Sequence, residues 1–203
     1  RLQATCSSAH CALSRLTSLT PEERAAGIIT ASTGNHALAV AFGLQQLGID
    51  GTIYLPHTVA QRKRRLLEQQ GVRLAFHGED GIETESHARA QAEASGQVYV
   101  SPYNDAEVVA GQGTIGLELL LQLPDLAAVY VPVGGGGLIS GIAGVLKAHR
   151  PSIQVVGCQP AHSPVMHASV QAGRVLDVPS QPTLSDGTAG GLEAGSITFP
   201  ICQ

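Results

Sequence analysis

From Gly27 onward short apolar runs alternate with stretches of helical periodicity, and this alternation limits the fold more than any other feature. GIITA (27–31), TIYLP (52–56), VRLAF (72–76) and VYVSP (98–102) read as strands. Helices are expected between them over 34–48, 59–71 and 82–96. A helix from about Glu107 to Leu123 leads into the strand AAVYVPV (127–133). The helix GLISGIAGVLKAH (137–149), the strand IQVVGCQ (153–159) and a helix over 163–172 follow. Such βαβ units give parallel sheets covered by helices. The expected class is α/β, with four strands before a boundary near 103–105 and two clear strands after it. The second sheet reads as unfinished, and the tail from about Gly173 to Gln203 as loop-rich, ending without a closing element.

Bulk composition narrows the function. Aromatics are 3% of 203 residues with no Trp, so Leu, Val, Ile and Ala must form the core. A net charge of −4 argues against nucleic acid as the main partner. The run Arg62-Lys63-Arg64-Arg65 reads as a solvated helix face. No apolar stretch reaches the ~18 residues that a membrane span needs. The opening RLQATCSSAH lacks an apolar leader region and an initiator Met, so the start reads as a fragment boundary. Cysteines at 6, 11, 158 and 202 show no metal-ligand spacing.

Residues 131–141, VPVGGGGLISG, carry the densest chemical signal. A buried strand aims the chain at four consecutive glycines, which let the backbone approach an anion, and a helix start adds unclaimed N–H groups. The expectation is a phosphate site. A dinucleotide fingerprint fails, because starts at Gly134 and Gly135 end on Ile139 and Ser140, and a start at Gly136 meets Leu138. No Gly-Lys-Ser/Thr follows, which removes a Walker loop.

The second constellation is ASTGNHALA (31–39), again between a strand and a helix. Ser32, Thr33, Gly34, Asn35 and His36 place hydroxyls, an amide and helix-start N–H groups in one turn suited to a carboxylate. Ser32 or Thr33 alone would be an N-cap, but a cap does not need the neighbouring Asn and His.

On the stretches TPEERAAGIITASTGNHALAVAFGLQQLG, SPYNDAEVVAGQGTIGLELLLQLPDLAAVYVPVGGGGLISGIAG and TLSDGTAGGLEAGSITFP, the chain resembles the fold type II pyridoxal-phosphate enzymes. Within them it is similar to the serine/threonine dehydratase and serine racemase group, over about 20–203. The resemblance implies that Gly134, Gly135, Gly136, Gly137 and Leu138 hold the phosphate of pyridoxal 5′-phosphate. It implies that Asn35 contacts the ring hydroxyl, and that Ser32, Thr33, Gly34, Asn35 and His36 grip the substrate carboxylate. Asp186 and Gly187 match a loop near the cofactor. Thr33 stands where the racemases carry an acid/base serine, and its stiffer side chain leans the reading towards a dehydratase. Some members bind a divalent ion through a Glu and an Asp, where this chain has Gln159 and Val165, so no metal site is expected.

The implied domains are 1–26, a remnant of the large domain's N-terminal part, 27–103, a small α/β domain, and 104–203, a large cofactor domain truncated at its C-terminus. The implied activity is that of an L-serine/L-threonine ammonia-lyase, cytoplasmic, acting on a small hydroxy amino acid, with a homodimer, no nucleic acid and no membrane. One element is missing. The family's lysine, which bonds to the cofactor and shuttles a proton, falls at Ala9 in ATCSSAHCA, and the chain has only Lys63 and Lys147. The expectation is therefore an impaired lyase; the alternatives are a non-catalytic cofactor- or amino-acid-binding pseudoenzyme and a serine racemase-like protein.

Overall fold

The computed structural model describes residues 6–203, with side chains from His10 onward. Its contacts divide the chain into two compact units, Arg1–Pro102 and Tyr103–Gln203.

The first unit begins with two helices ahead of the alternating region, α1 (Cys6–Thr17) and α2 (Pro21–Ala26). The second had a readable signal: Thr20 caps it, Glu23 returns the bond in a capping box, and Pro21 occupies its first turn. Four parallel strands follow, β1 (Ile28–Ala31), β2 (Gly51–Leu55), β3 (Arg73–Phe76) and β4 (Val98–Tyr99), in the order β3-β2-β1-β4. They alternate with α3 (Asn35–Leu47), α4 (Gln61–Glu68) and α5 (Gly81–Ser95). One face of the sheet packs Ile53 and Leu55 against Ala37, Ala41 and Leu67 of α3 and α4. The other packs Ile29 and Ala31 against Ala88 and Ala92 of α5. Outside α3 lies α1, whose Leu16 occupies the space that Gly43 leaves by having no side chain. The strand expected over 98–102 pairs only at Val98–Tyr99. Val100 still donates to the Ile29 carbonyl at 2.8 Å, but Pro102 has no N–H to continue the ladder.

The second unit carries α6 (Ala106–Gln122), β5 (Ala128–Pro132), α7 (Gly137–His149), β6 (Gln154–Cys158) and α8 (Val165–Ala172). β5 and β6 pair in parallel, and one face of this sheet buries Val131 with Ile142, Leu146 and Ile153. The other face is open, with Tyr130 72% exposed. α6 and α7 approach closely because Gly113 and Gly116 lie against Val145, and Gly141 against the Val109 carbonyl. The tail is loop-rich, as expected, with a single 3₁₀ turn (Asp186–Thr188), but it does end in a short helix, α9 (Phe199–Cys202). No helix among the described residues is long and apolar enough to cross a membrane.

Candidate functional site

Each unit contains one of the two strand-to-helix turns singled out in the sequence. In the first, β1 is flanked by β2, which follows it in the chain, and by β4, which arrives last. The connections therefore part on opposite faces at the carboxyl end of β1, the position where open α/β sheets take ligands. Ser32 to His36 occupy that position.

Inside this turn Ser32 Oγ accepts from the Gly34 N–H at 3.2 Å, closing a tight local loop. Gly34 is the N-cap of α3 and supplies no side-chain cap. Nothing lies within 4 Å of the place a Gly34 Cβ would take, so the turn faces open space there. Thr33 is half-buried and Asn35 exposed, whereas His36 is buried. The His36 ring points at β1: its Nε2 lies 3.2 Å from Thr30 Oγ1, and that hydroxyl donates to the Val100 carbonyl at 2.6 Å. Thr30 has one hydroxyl hydrogen and spends it on Val100, so towards His36 it can only accept. His36 Nε2 therefore carries a proton. The imidazole ties the start of α3 to β1 and to the residue beyond β4.

In the second unit, Gly134 to Gly137 connect β5 to α7. Gly136 is the N-cap of α7, with φ 86°, a left-handed conformation that favours glycine, and no side-chain cap. The N–H groups of Gly135, Gly136, Gly137 and Leu138 have no hydrogen-bond partner among the described residues. Packing also bears on three of the glycines, most severely on Gly135. A Cβ on Gly134 would stand 3.3 Å from Thr188 Cα, one on Gly135 would strike the ring of Tyr103, and one on Gly136 would meet Met166 Cε at 2.7 Å and Thr198 Cβ at 3.0 Å.

The expected residues Gly134 to Leu138 thus form one cradle, and the turn holding Asp186 and Gly187 lies against it through Thr188. Asp186 and Gly187 themselves are exposed. Sequence reasoning missed Thr30, Tyr103, Thr188 and Thr198, which stand behind the two turns. Tyr103 and Thr198 lie in SPYND and GSITFP, stretches that carried the resemblance without being given a role.

The chain's two lysines lie on α7 and α4. Lys147 Nζ is tied to the carbonyls of Pro151 and Ile153 at 3.0 and 2.7 Å, closing the C-terminus of α7. Lys63 is half-buried on α4, beside Arg64, which pairs with Glu68 and lies over the Phe76 ring. Ala9 falls in α1, and its side chain is outside the described residues. Gln159 Oε1 accepts from the His167 N–H at 2.8 Å, capping the first turn of α8, where Val165 is buried. Burial pushes the Cys11 thiol up to about 11 and raises that of Cys202.

A family model described as "Pyridoxal-phosphate dependent enzyme" matches residues 2–203. The chain belongs to that family. Its relatives include the L-threonine ammonia-lyase of Geobacter sulfurreducens, 41% identical over 192 residues, which are 95% of this chain and 48% of the relative. The L-threonine ammonia-lyase of Thermotoga maritima matches at the same identity and coverage. Among solved structures, threonine deaminase isoform 2 from Solanum lycopersicum superposes with a TM-score of 0.88 at 36% identity, covering 97% of this chain and 57% of that one. Maize serine racemase gives a TM-score of 0.89 at 32% identity, with 97% and 59% covered. The fold is that of the type II pyridoxal-phosphate enzymes, and the chain spans about half the length of the curated relatives it matches.

Proposed function

We propose that this chain carries the phosphate and carboxylate sites of a pyridoxal-phosphate-dependent L-serine/L-threonine ammonia-lyase, and that its own turnover is impaired. The carrying observation is the cradle at Gly134–Leu138: its open N–H groups and the positive end of α7 suit a phosphate, and its glycines leave no side chain in the way. In this reading residues 27–103 are the small domain and 104–203 the cofactor domain. Ser32, Gly34, Asn35 and His36 present the α3 N-terminus to a substrate carboxylate, and within the second unit Asp186 and Gly187 border the cofactor. The Thr33 hydroxyl moves a proton at the substrate. When bound, the cofactor supplies an electron sink for the carbanion left at Cα. Cys11, Cys158 and Cys202 are thiols, which suits a cytoplasmic setting, and the exposed Tyr130 and Leu121 suit a homodimer contact.

The impairment rests on Ala9 and on the engagement of Lys147 with two carbonyls. The same observations favour a second reading, a binding module without catalysis. Mixing the chain with pyridoxal phosphate and recording the visible spectrum tests both. The expected result is bound cofactor without the absorbance of a lysine adduct, and no borohydride-trapped modification at Lys63 or Lys147; a trapped lysine overturns the impairment. Slow ammonia release from L-serine supports the lyase, binding without release supports the module, and D-serine formation supports a racemase-like protein.

A further inference from the structure

We propose that Thr198 is a positioning residue that aims the cradle's N–H groups at the bound anion; the inference rests on the phosphate reading of Gly134–Leu138. Thr198 is completely buried, and its Oγ1 donates to the Gly135 carbonyl at 2.6 Å. The peptide joining Gly135 to Gly136 is trans, like every described peptide. In a trans peptide the C=O and the following N–H point in opposite directions. Holding the Gly135 carbonyl on Thr198 therefore turns the Gly136 N–H to the side away from the tail, where it has no partner among the described residues.

The hold is reinforced from behind. Ser196 Oγ lies 2.6 Å from Thr198 Oγ1, and because the Thr198 hydrogen is committed to Gly135, Ser196 is the donor. Asn104 and Tyr103 fix the same tail: Asn104 Oδ1 accepts from the Ile197 N–H at 2.9 Å, and the Tyr103 hydroxyl accepts from the Glu193 N–H at 3.0 Å. Tyr103 also presses its ring on Gly135, so the peptide is gripped by ring and hydroxyl at once. The open N–H groups of the cradle are thus a product of the tail as well as of the glycines. A left-handed glycine followed by a helix could otherwise turn that peptide either way.

The test uses the full chain and two variants, Thr198→Val and Thr198→Ser. In the ligand-free protein, residual dipolar couplings report the Gly136 N–H direction. The expected result is a changed or averaged coupling in Thr198→Val and the wild-type coupling in Thr198→Ser. Phosphate affinity, read by titrating inorganic phosphate and pyridoxal phosphate against the amide shifts of Gly135–Leu138, should fall about tenfold in Thr198→Val and stay within about twofold in Thr198→Ser. An unchanged Gly136 coupling in Thr198→Val overturns the proposal. If Thr198→Val does not fold, Thr198→Ser decides: loss of the coupling despite its hydroxyl overturns it. A wild-type chain that binds neither probe refutes the phosphate reading, while the Gly136 coupling still decides the role of Thr198.

Discussion

The two strand-to-helix turns share a plan and differ in material. Both begin a helix at a glycine N-cap without a side-chain cap, Gly34 for α3 and Gly136 for α7. By contrast α2, α5 and α6 have their first N–H groups claimed by Thr20, Asp80 and Asp105. The first turn is held by side chains and looks onto open space at Gly34. The second is bare backbone, backed by Tyr103, Thr188 and Thr198. A turn built of side chains is damaged by removing atoms, whereas a turn built of backbone is damaged by adding them.

The strongest way to break this comparison is Gly135→Ala. The new methyl would meet the Tyr103 ring, which the Glu193 N–H pins through its hydroxyl, so it cannot swing away without cost. The expected loss is about 2–3 kcal/mol of stability by overpacking, read from urea unfolding. Pyridoxal-phosphate affinity should fall about 100-fold or more, read by calorimetry. An Ala that folds and binds normally would show that the cradle does not need bare backbone.

Thr30→Val probes the opposite case, because it keeps the volume and removes only a hydroxyl. It leaves the Val100 carbonyl and His36 Nε2 without their shared partner, at a cost of about 2 kcal/mol. Thr30→Ser should recover most of that in the same denaturation experiment. Gly34→Ser should do something that no change in the cradle can. Serine is a better N-cap than glycine and Gly34 has an ordinary extended φ of −115°, so stability should rise by about 0.3 kcal/mol. Its side chain would fill the open space, so L-serine binding should weaken while the melting temperature holds.

The smallest effect concerns α1, which buttresses α3. The Cys11 thiol is held up to about 11, above its ordinary 9.0, so the folded state keeps its proton longer than the unfolded chain does. Its contribution is intact below pH 9 and is lost as the pH rises through 11. Urea midpoints of the chain and of Cys11→Ala, compared at pH ~8 and ~10.5, should show a smaller alkaline drop in the variant.

Most of the strand and helix succession was legible in the sequence, because one-face periodicity and glycine stops are local. The cradle and the Ser32–His36 turn were legible for the same reason. What lay hidden was long-range. Thr30 meets a carbonyl at Val100, and Gly135 meets Thr198, contacts that no window of neighbouring residues contains. α1 escaped because its fit depends on a side chain being absent at Gly43. α2 escaped although Thr20, Pro21 and Glu23 spelled out its start.

The placement of β4 beside β1 also sets an order of events during synthesis. β1, β2 and β3 can associate as they leave the ribosome, but the far edge of β1 waits until Val98 and Tyr99 emerge. Until then the Thr30 hydroxyl has no Val100 carbonyl, and His36 is anchored to a residue that is itself untied. A nascent chain stalled before β4 would therefore expose an apolar strand edge and an unset turn together. Such a chain is the species a chaperone would have to hold.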